Sequence, residues 1–395
     1  MDEGWKEIIM SIRSIDECFY HIQNGANIKQ GEIEGGYPIT RIETTSNDMF
    51  NRDRMGYAGI TDLTKYDSYV LEDGDLLMSH INSIQYLGRT VLYEKIGDEI
   101  IIHGMNLLRL KANRDIVIPA YARYSFYSHS FRSQLANITK KSVNQASFAV
   151  KDLKRIKLDI PNLSEQNYIV STLDKLQSII THRKQQLEKL DELVKARFVE
   201  MFGEPVLNTM DWECKSVIDE CDCQVPGRDK PKSFTGDIPW ITIEDLCVNG
   251  ITYNSKSGLG LTQNEIDEVG RKTIPKNSVI MSCVGNLGIC SIAGCDMIIN
   301  QQLHSFQCGK RVNNIFLMNC LGFQKEYMNK WASNTTVLYM NKSICNSIPI
   351  IVPPLELQNQ FAAFVSQVDK SKAVVQKSLD EAQLLFDSLM QEYFG

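Results

Sequence analysis

The chain has 395 residues, 43% hydrophobic and 23% charged, with a formal net charge of −6. That length suits two or three globular domains with real cores, and no run of 18 apolar residues is present to span a bilayer. The start, Met1-Asp2-Glu3-Gly4-Trp5-Lys6, has no basic stretch leading into an apolar one, which argues against a signal peptide and for a cytoplasmic location. Ten of the eleven cysteines lie in the second half, from Cys214 onward. They form no paired C-x-x-C knuckles, Cys221-Asp222-Cys223 being the nearest approach, so they read as reduced thiols and not as a zinc site.

In chain order, the first region is mixed α/β. Turn residues Asp73-Gly74 precede a short apolar strand, Asp75-Leu76-Leu77-Met78-Ser79. An amphipathic helix is expected over 119–138, then a polar loop over 139–145, then a strand ending at Pro161. A long helix follows, with Ser164 as its N-cap and Glu165 in the first turn, where the helix dipole favours an acid. Its apolar positions include Leu173, Leu176, Ile180, Leu187, Leu190 and Val194. Gly203 fits the position after the helix end, and Pro205 blocks continuation.

The second region repeats the plan. Gly35, Pro38, Ile42 and Glu43 recur as Gly236, Pro239, Ile243 and Glu244, and the strand recurs as Ser278-Val279-Ile280-Met281-Ser282. Gly285-Asn286-Leu287-Gly288 reads as a hairpin turn. A second amphipathic helix is expected over 312–332 and a polar loop over 333–336. A final helix carries Val365, Val368, Val375, Leu379, Phe386 and Leu389 at 3/4 spacing, a heptad seam.

Residues 156–203 align without a gap on 348–395, an offset of 192, with 10 of 48 positions identical, among them Gln166/Gln358, Phe202/Phe394 and Gly203/Gly395. This period is too long for a solenoid, whose units run about 20 to 50 residues. It implies a two-fold molecule built from one chain. Arg183 and Arg197 stand where the second helix has Val375 and Leu389, and Lys372 stands where the first has Ile180. Neither seam is clean, so the economical arrangement packs the two helices against each other; an intermolecular coiled coil is the alternative. Each helix of roughly 37 residues would be about 55 Å long, more than one small core needs.

The charge is uneven. From His103 to Lys157 there are eleven Lys/Arg against two acids, +9 in 55 residues, and Met297 to Cys345 carries five against one. Two basic regions at equivalent places in a repeat favour a polyanion partner. Base specificity comes from Arg, Lys, Asn and Gln on groove edges. The candidates are Arg52, Arg54, Arg109, Lys140, Lys141, Ser142, Asn144 and Gln145 in the first half. In the second they are Arg228, Lys230, Lys232, Asn334, Thr335, Thr336, Tyr339, Asn341 and Lys342. Catalytic signatures are missing together: no Walker A, no H-E-x-x-H, no G-x-S-x-G and no G-x-G-x-x-G. The chain therefore reads as a binding or scaffolding protein.

The order of parts resembles the specificity subunit of type I restriction-modification systems. The residues that carry the likeness are Ile160-Pro161-Asn162-Leu163-Ser164-Glu165-Gln166 and Ala196-Arg197-Phe198-Val199-Glu200-Met201-Phe202-Gly203. The second copy departs, with Leu357-Gln358 for Glu-Gln and Gln391-Glu392-Tyr393-Phe394-Gly395 at its end. The resemblance implies an α+β, pseudo-two-fold fold. Two target recognition domains, over 1–160 and 204–352, would be separated by antiparallel coiled-coil helices over 161–203 and 353–395. It also implies that each domain reads half of a bipartite site in double-stranded DNA. The helices would set the spacer and dock two methyltransferase subunits, with restriction/translocase subunits joining. The chain would bind no cofactor and have no activity of its own; S-adenosylmethionine, ATP and magnesium would sit on partners. The competing reading is a coiled-coil adaptor that binds only proteins.

Overall fold

The computed structural model describes residues 11–31, 35–143, 145–227, 229–334 and 337–395, without the side chains of Asn47 and Asn334. Two compact units divide it. The described residues up to Arg183 join Ser378–Gly395 in the first, and Lys184–Lys377 forms the second.

The first unit is built on an antiparallel sheet ordered Phe19–Asn24, Leu107–Ala112, Leu76–Ser79, Thr90–Leu92. All four residues of Leu76–Ser79 are buried, as its unbroken apolar run requires of a central strand. The predicted turn before it forms, with Gly74 at φ +86. Ser11–Ser14 pairs with Lys157–Ile160, the strand that leads into the first long helix. The second unit repeats this order with Cys221–Gln224, Leu303–Cys308, Val279–Ser282 and Cys290–Ala293, and adds Ile251–Thr252 in parallel at the edge. Cys214–Ser216 pairs there with Pro349–Ile351. The turn 285–288 joins two antiparallel strands as expected, with Gly285 and Gly288 at φ +72 and +76, a region that L side chains avoid.

Both amphipathic helices are broken where one continuous helix was expected. The first is Pro119–Ser125 followed by His129–Ile138, restarted by Ser128, whose hydroxyl accepts from Phe131 N. The second is Asn314–Phe323 followed by Lys325–Trp331, with the break at Gln324. Hydrophobic period alone does not register a cap that favours a new start over continuation.

The long helices are Leu163–Phe202 and Leu355–Phe394. Ser164 is not the N-cap: it lies inside the first turn, and the Asn162 side chain accepts from Glu165 N at 3.0 Å. Gly203 has φ +73 and donates to Val199 O, so it ends the helix in the left-handed form expected of it. Of the seam residues, Leu173, Ile180, Val194, Val365 and Val368 are buried, and Leu176, Leu187, Leu190, Val375, Leu379, Phe386 and Leu389 are half-buried. In the second unit the two helices run antiparallel. Asp191 meets Lys372 at 2.6 Å, the Arg197 guanidinium lies 5.7 Å from the Phe364 ring centre, and the Phe198 and Phe361 rings are 5.3 Å apart. The polar interruptions at 197 and 372 are therefore matched by residues of the opposite helix.

Each unit is closed by the start of one long helix and the end of the other. In the first unit Ile169 and Leu173 share a core with Tyr393 and Phe394, and Phe394 sits 5.1 Å from the Tyr121 ring. In the second, Val365 and Val368 share a core with Phe198 and Phe202, and Phe202 lies 4.9 Å from Phe316.

The repeated glutamine is the fastener at each start. Gln166 is fully buried; its Oε1 accepts from Ile118 N, and its Nε2 donates to Ile116 O and Pro161 O. Gln358 is equally buried, accepts from Asn313 N, and donates to Arg311 O and Pro353 O. Each amide ties the first turn of a long helix to the backbone that begins the domain's own helix pair. Gln358→Leu keeps the volume but leaves three backbone groups unmade. It is expected to destabilise the second unit by about 3 kcal/mol in denaturant unfolding, and a loss below about 1 kcal/mol would refute this role.

Candidate nucleic-acid interface

The two polar loops are β-hairpins at equivalent places. In the first unit Lys140–Lys141 pairs with Ala146–Ser147, which pairs in turn with Ile81–Asn82. Ser142 closes the tip, its N and Oγ both donating to Gln145 O. Lys140, Lys141, Ser142 and Gln145 are exposed, and Val143 between them is 100% exposed. In the second unit Ser333–Asn334 pairs with Leu338–Tyr339, and Tyr339 bridges to Val284. Tyr339 is 41% exposed. Asn144, Arg228, Thr335 and Thr336 lie outside the described residues, as does the Asn334 side chain.

Several expected DNA contacts are committed to the fold instead. Arg109 is 2% exposed; it donates to the carbonyls of Val70 and Ser68 and to Gln23, with Asp75 at 3.8 Å. A guanidinium so enclosed, with both terminal nitrogens bonded and only Nε without a partner, is a structural cation and not a candidate for the interface. Arg52 forms a two-point pair with Glu99, also donates to Glu94 O, and stacks near Phe50 and Tyr93. That pair holds the Glu99 carboxyl down at about 2, the Arg52 hydrogen bond being the largest cause. Asn341 caps the helix Lys342–Asn346 through Ile344 N. Arg54 is exposed.

The +9 stretch shrinks in the same way. Lys111 pairs with Glu72, Arg123 with Asp174, Lys154 with Asp16 and Lys157 with Glu17, all acids outside the counted window. Arg114 and Arg132 donate to the carbonyls of Asp73 and Leu87. The stretch leaves the exposed hairpin lysines for a partner, together with exposed Lys151 and with Arg155, which is 82% exposed beside Asp152.

In the second unit, residues 229–235 form an anchored loop. The Asp229 carbonyl accepts from Arg271 Nη2 at 2.5 Å. Ser233 and Thr235 are held by Glu265, whose carboxyl is lowered to about 2, chiefly by Ser233. Lys230 and Lys232 are exposed between these anchors. Arg271, which the sequence offered no reason to single out, is 7% exposed and lies 5.3 Å from the Trp240 ring centre. Burial pushes its guanidinium below the ordinary value, and Asp229 offsets part of that. It lines a cavity of about 110 Å³ with Lys230, Trp240, Asn300, Gln301 and Gln302. Exposed Lys342 lies near His304, a fully buried imidazole pushed down to about 4 by burial first and by that charge second. Among the described residues no helix is long and apolar enough to cross a membrane, and no group of His, Cys, Asp and Glu is placed to hold a metal.

A profile of the type I restriction modification DNA specificity domain matches residues 11–191 and again 211–383. The chain belongs to the type I restriction-modification specificity family. It is 28% identical over 393 residues to the putative type I restriction enzyme MjaX specificity subunit of Methanocaldococcus jannaschii, covering 96% of this chain and 90% of that one. The type I restriction-modification S subunit of M. genitalium superposes with a TM-score of 0.59 at 14% identity, covering 100% of this chain and 98% of the other. A chain from structural work on complex assembly and conformational transition of the type I R-M system gives 0.54 at 16% identity, over 98% and 97% of the two chains. At such identities these two share the fold. Two specificity domains in tandem account for the doubled sheet order, the doubled hairpin and the doubled glutamine fastener.

Proposed function

We propose that this chain is the non-catalytic DNA-recognition subunit of a type I restriction-modification complex. Each unit reads one half of a bipartite duplex site. The paired long helices set the spacing between half-sites and dock two methyltransferase subunits, and restriction/translocase subunits complete the assembly. S-adenosylmethionine, ATP and magnesium belong to those partners, and the complex works on DNA in the cytoplasm. The observation that carries this reading is the duplication itself: the specificity domain matches twice, and each copy presents a polar hairpin at the same point of its fold. The first hairpin supplies the Lys140 and Lys141 cations for phosphate contacts and the exposed Gln145 amide for base edges, the two classes of contact a specific duplex binder needs.

The protein-only adaptor is the alternative that the seams and the absent catalytic motifs also fit. A salt titration of duplex binding by the chain assembled with its methyltransferase subunits separates the two. Sequence-specific recognition predicts an affinity that falls steeply and log-linearly with salt, as counterions are released from the phosphates. An adaptor predicts the same weak or absent binding with and without this chain.

A further inference from the structure

Arg271 is a buried cation that its own fold leaves incompletely bonded. Arg109, at 2% exposure, has both terminal nitrogens bonded and a carboxylate at 3.8 Å. Arg271, at 7%, makes one hydrogen bond among the described residues, to the Asp229 carbonyl. Its Nε and Nη1 are buried without a partner among the described residues. Among the described residues no carboxylate lines its cavity, whose other polar walls are Lys230, Trp240, Asn300, Gln301 and Gln302; the Asp229 charge acts on Arg271 from outside it. Asn300 and Gln302 are occupied with each other, through Asn300 Nδ2 to Gln302 Oε1 and Gln302 N to Asn300 Oδ1, both 3.0 Å. The cavity's charged walls are both cationic, and the Gln301 and Gln302 side-chain amides and the Trp240 ring N–H add neutral donors. An enclosed guanidinium with spare N–H groups is costly until an anion pairs with it.

The geometry points to a phosphodiester pocket in which Arg271, with Lys230 at the rim, takes one backbone phosphate of duplex DNA. A phosphate fits better than a base edge. Arg271 is held over Trp240 and against the Asp229 carbonyl, so it cannot extend into a groove. Phosphates project from the duplex, and the planar guanidinium matches their oxygens in a fork. Trp240 fixes the plane of that fork, and the Ser233 and Thr235 bonds to Glu265 hold the far end of the loop that carries Lys230. This assignment rests on the DNA-binding reading and specifies a register contact within it, one that is indifferent to sequence.

The test uses the full chain assembled with its methyltransferase subunits and a short duplex of arbitrary sequence. Lys230→Met and Arg271→Met should each weaken binding about tenfold and reduce the slope of log affinity against log salt by about 0.9. The same fractional loss should appear on the cognate duplex. Lys230 is exposed, so its variant carries no folding burden; the denaturation midpoint of Arg271→Met shows whether that variant is intact. If wild type binds DNA with steep salt dependence and neither variant alters the slope, the pocket is wrong and the DNA-binding reading survives. Relaxed specificity with an unchanged slope would also overturn the phosphate assignment. If the wild-type assembly shows no salt-sensitive binding, both fall.

Discussion

Phe202→Ala is expected to destabilise the unit Lys184–Lys377 by about 3–5 kcal/mol. Phe202 is fully buried, with ring centres of Phe198, Phe316 and Phe361 at 5.0, 4.9 and 5.6 Å. Removing the ring leaves a cavity walled by three other rings that cannot collapse into it without leaving their own contacts. The helix end itself is held there, since Trp212 Nε1 donates to Phe202 O at 3.0 Å. Phe394→Ala should do the reverse. Its ring lies 5.1 Å from Tyr121 in the first unit, although it sits at the far end of the chain. Hydrogen exchange distinguishes the two. Phe202→Ala should lower protection in Val279–Ser282 and spare Leu76–Ser79; Phe394→Ala should lower it in Leu76–Ser79 and spare Val279–Ser282. Equal losses in both strands from either variant would contradict the exchange of helix ends on which each unit is built.

That exchange explains what the sequence could and could not disclose. Gapless register across 156–203 and 348–395 announced two long helices of one design, and the apolar positions named their seam. The identity of Gln166 and Gln358 was visible as a repeat, but their work was not. A buried amide that bonds backbone 45 to 50 residues away leaves no local pattern. Caps failed for a related reason: Asn162 and Ser164 are both capping residue types, and only the backbone geometry chooses between them. A window from His103 to Lys157 cannot see Glu72, Asp16, Glu17 and Asp174, which come from outside it to neutralise four of its lysines and arginines. Arg109 and Arg271 are alike as letters and nearly alike in burial. What separates a structural cation from a candidate contact is the number of partners each has found.

If each unit reads its own half-site, a hybrid chain should acquire a target changed in one half only. Exchanging residues up to 160 for those of a family member with a different target replaces the first sheet and the hairpin with Lys140 and Lys141. It keeps Gln166, the seam and the whole second unit. Each lost base pair of a specific site costs about 1–3 kcal/mol, so a wrong half-site of several pairs abolishes recognition of the old sequence altogether. The direct measurement is a genome-wide map of methylated adenines in cells carrying the original chain, the hybrid or neither. A bipartite motif should be methylated with the original chain and vanish without the gene. In the hybrid, one half of that motif should be new, while the other half and the spacer are unchanged. A hybrid that methylates the original motif, or that changes both halves at once, would contradict one half-site per unit.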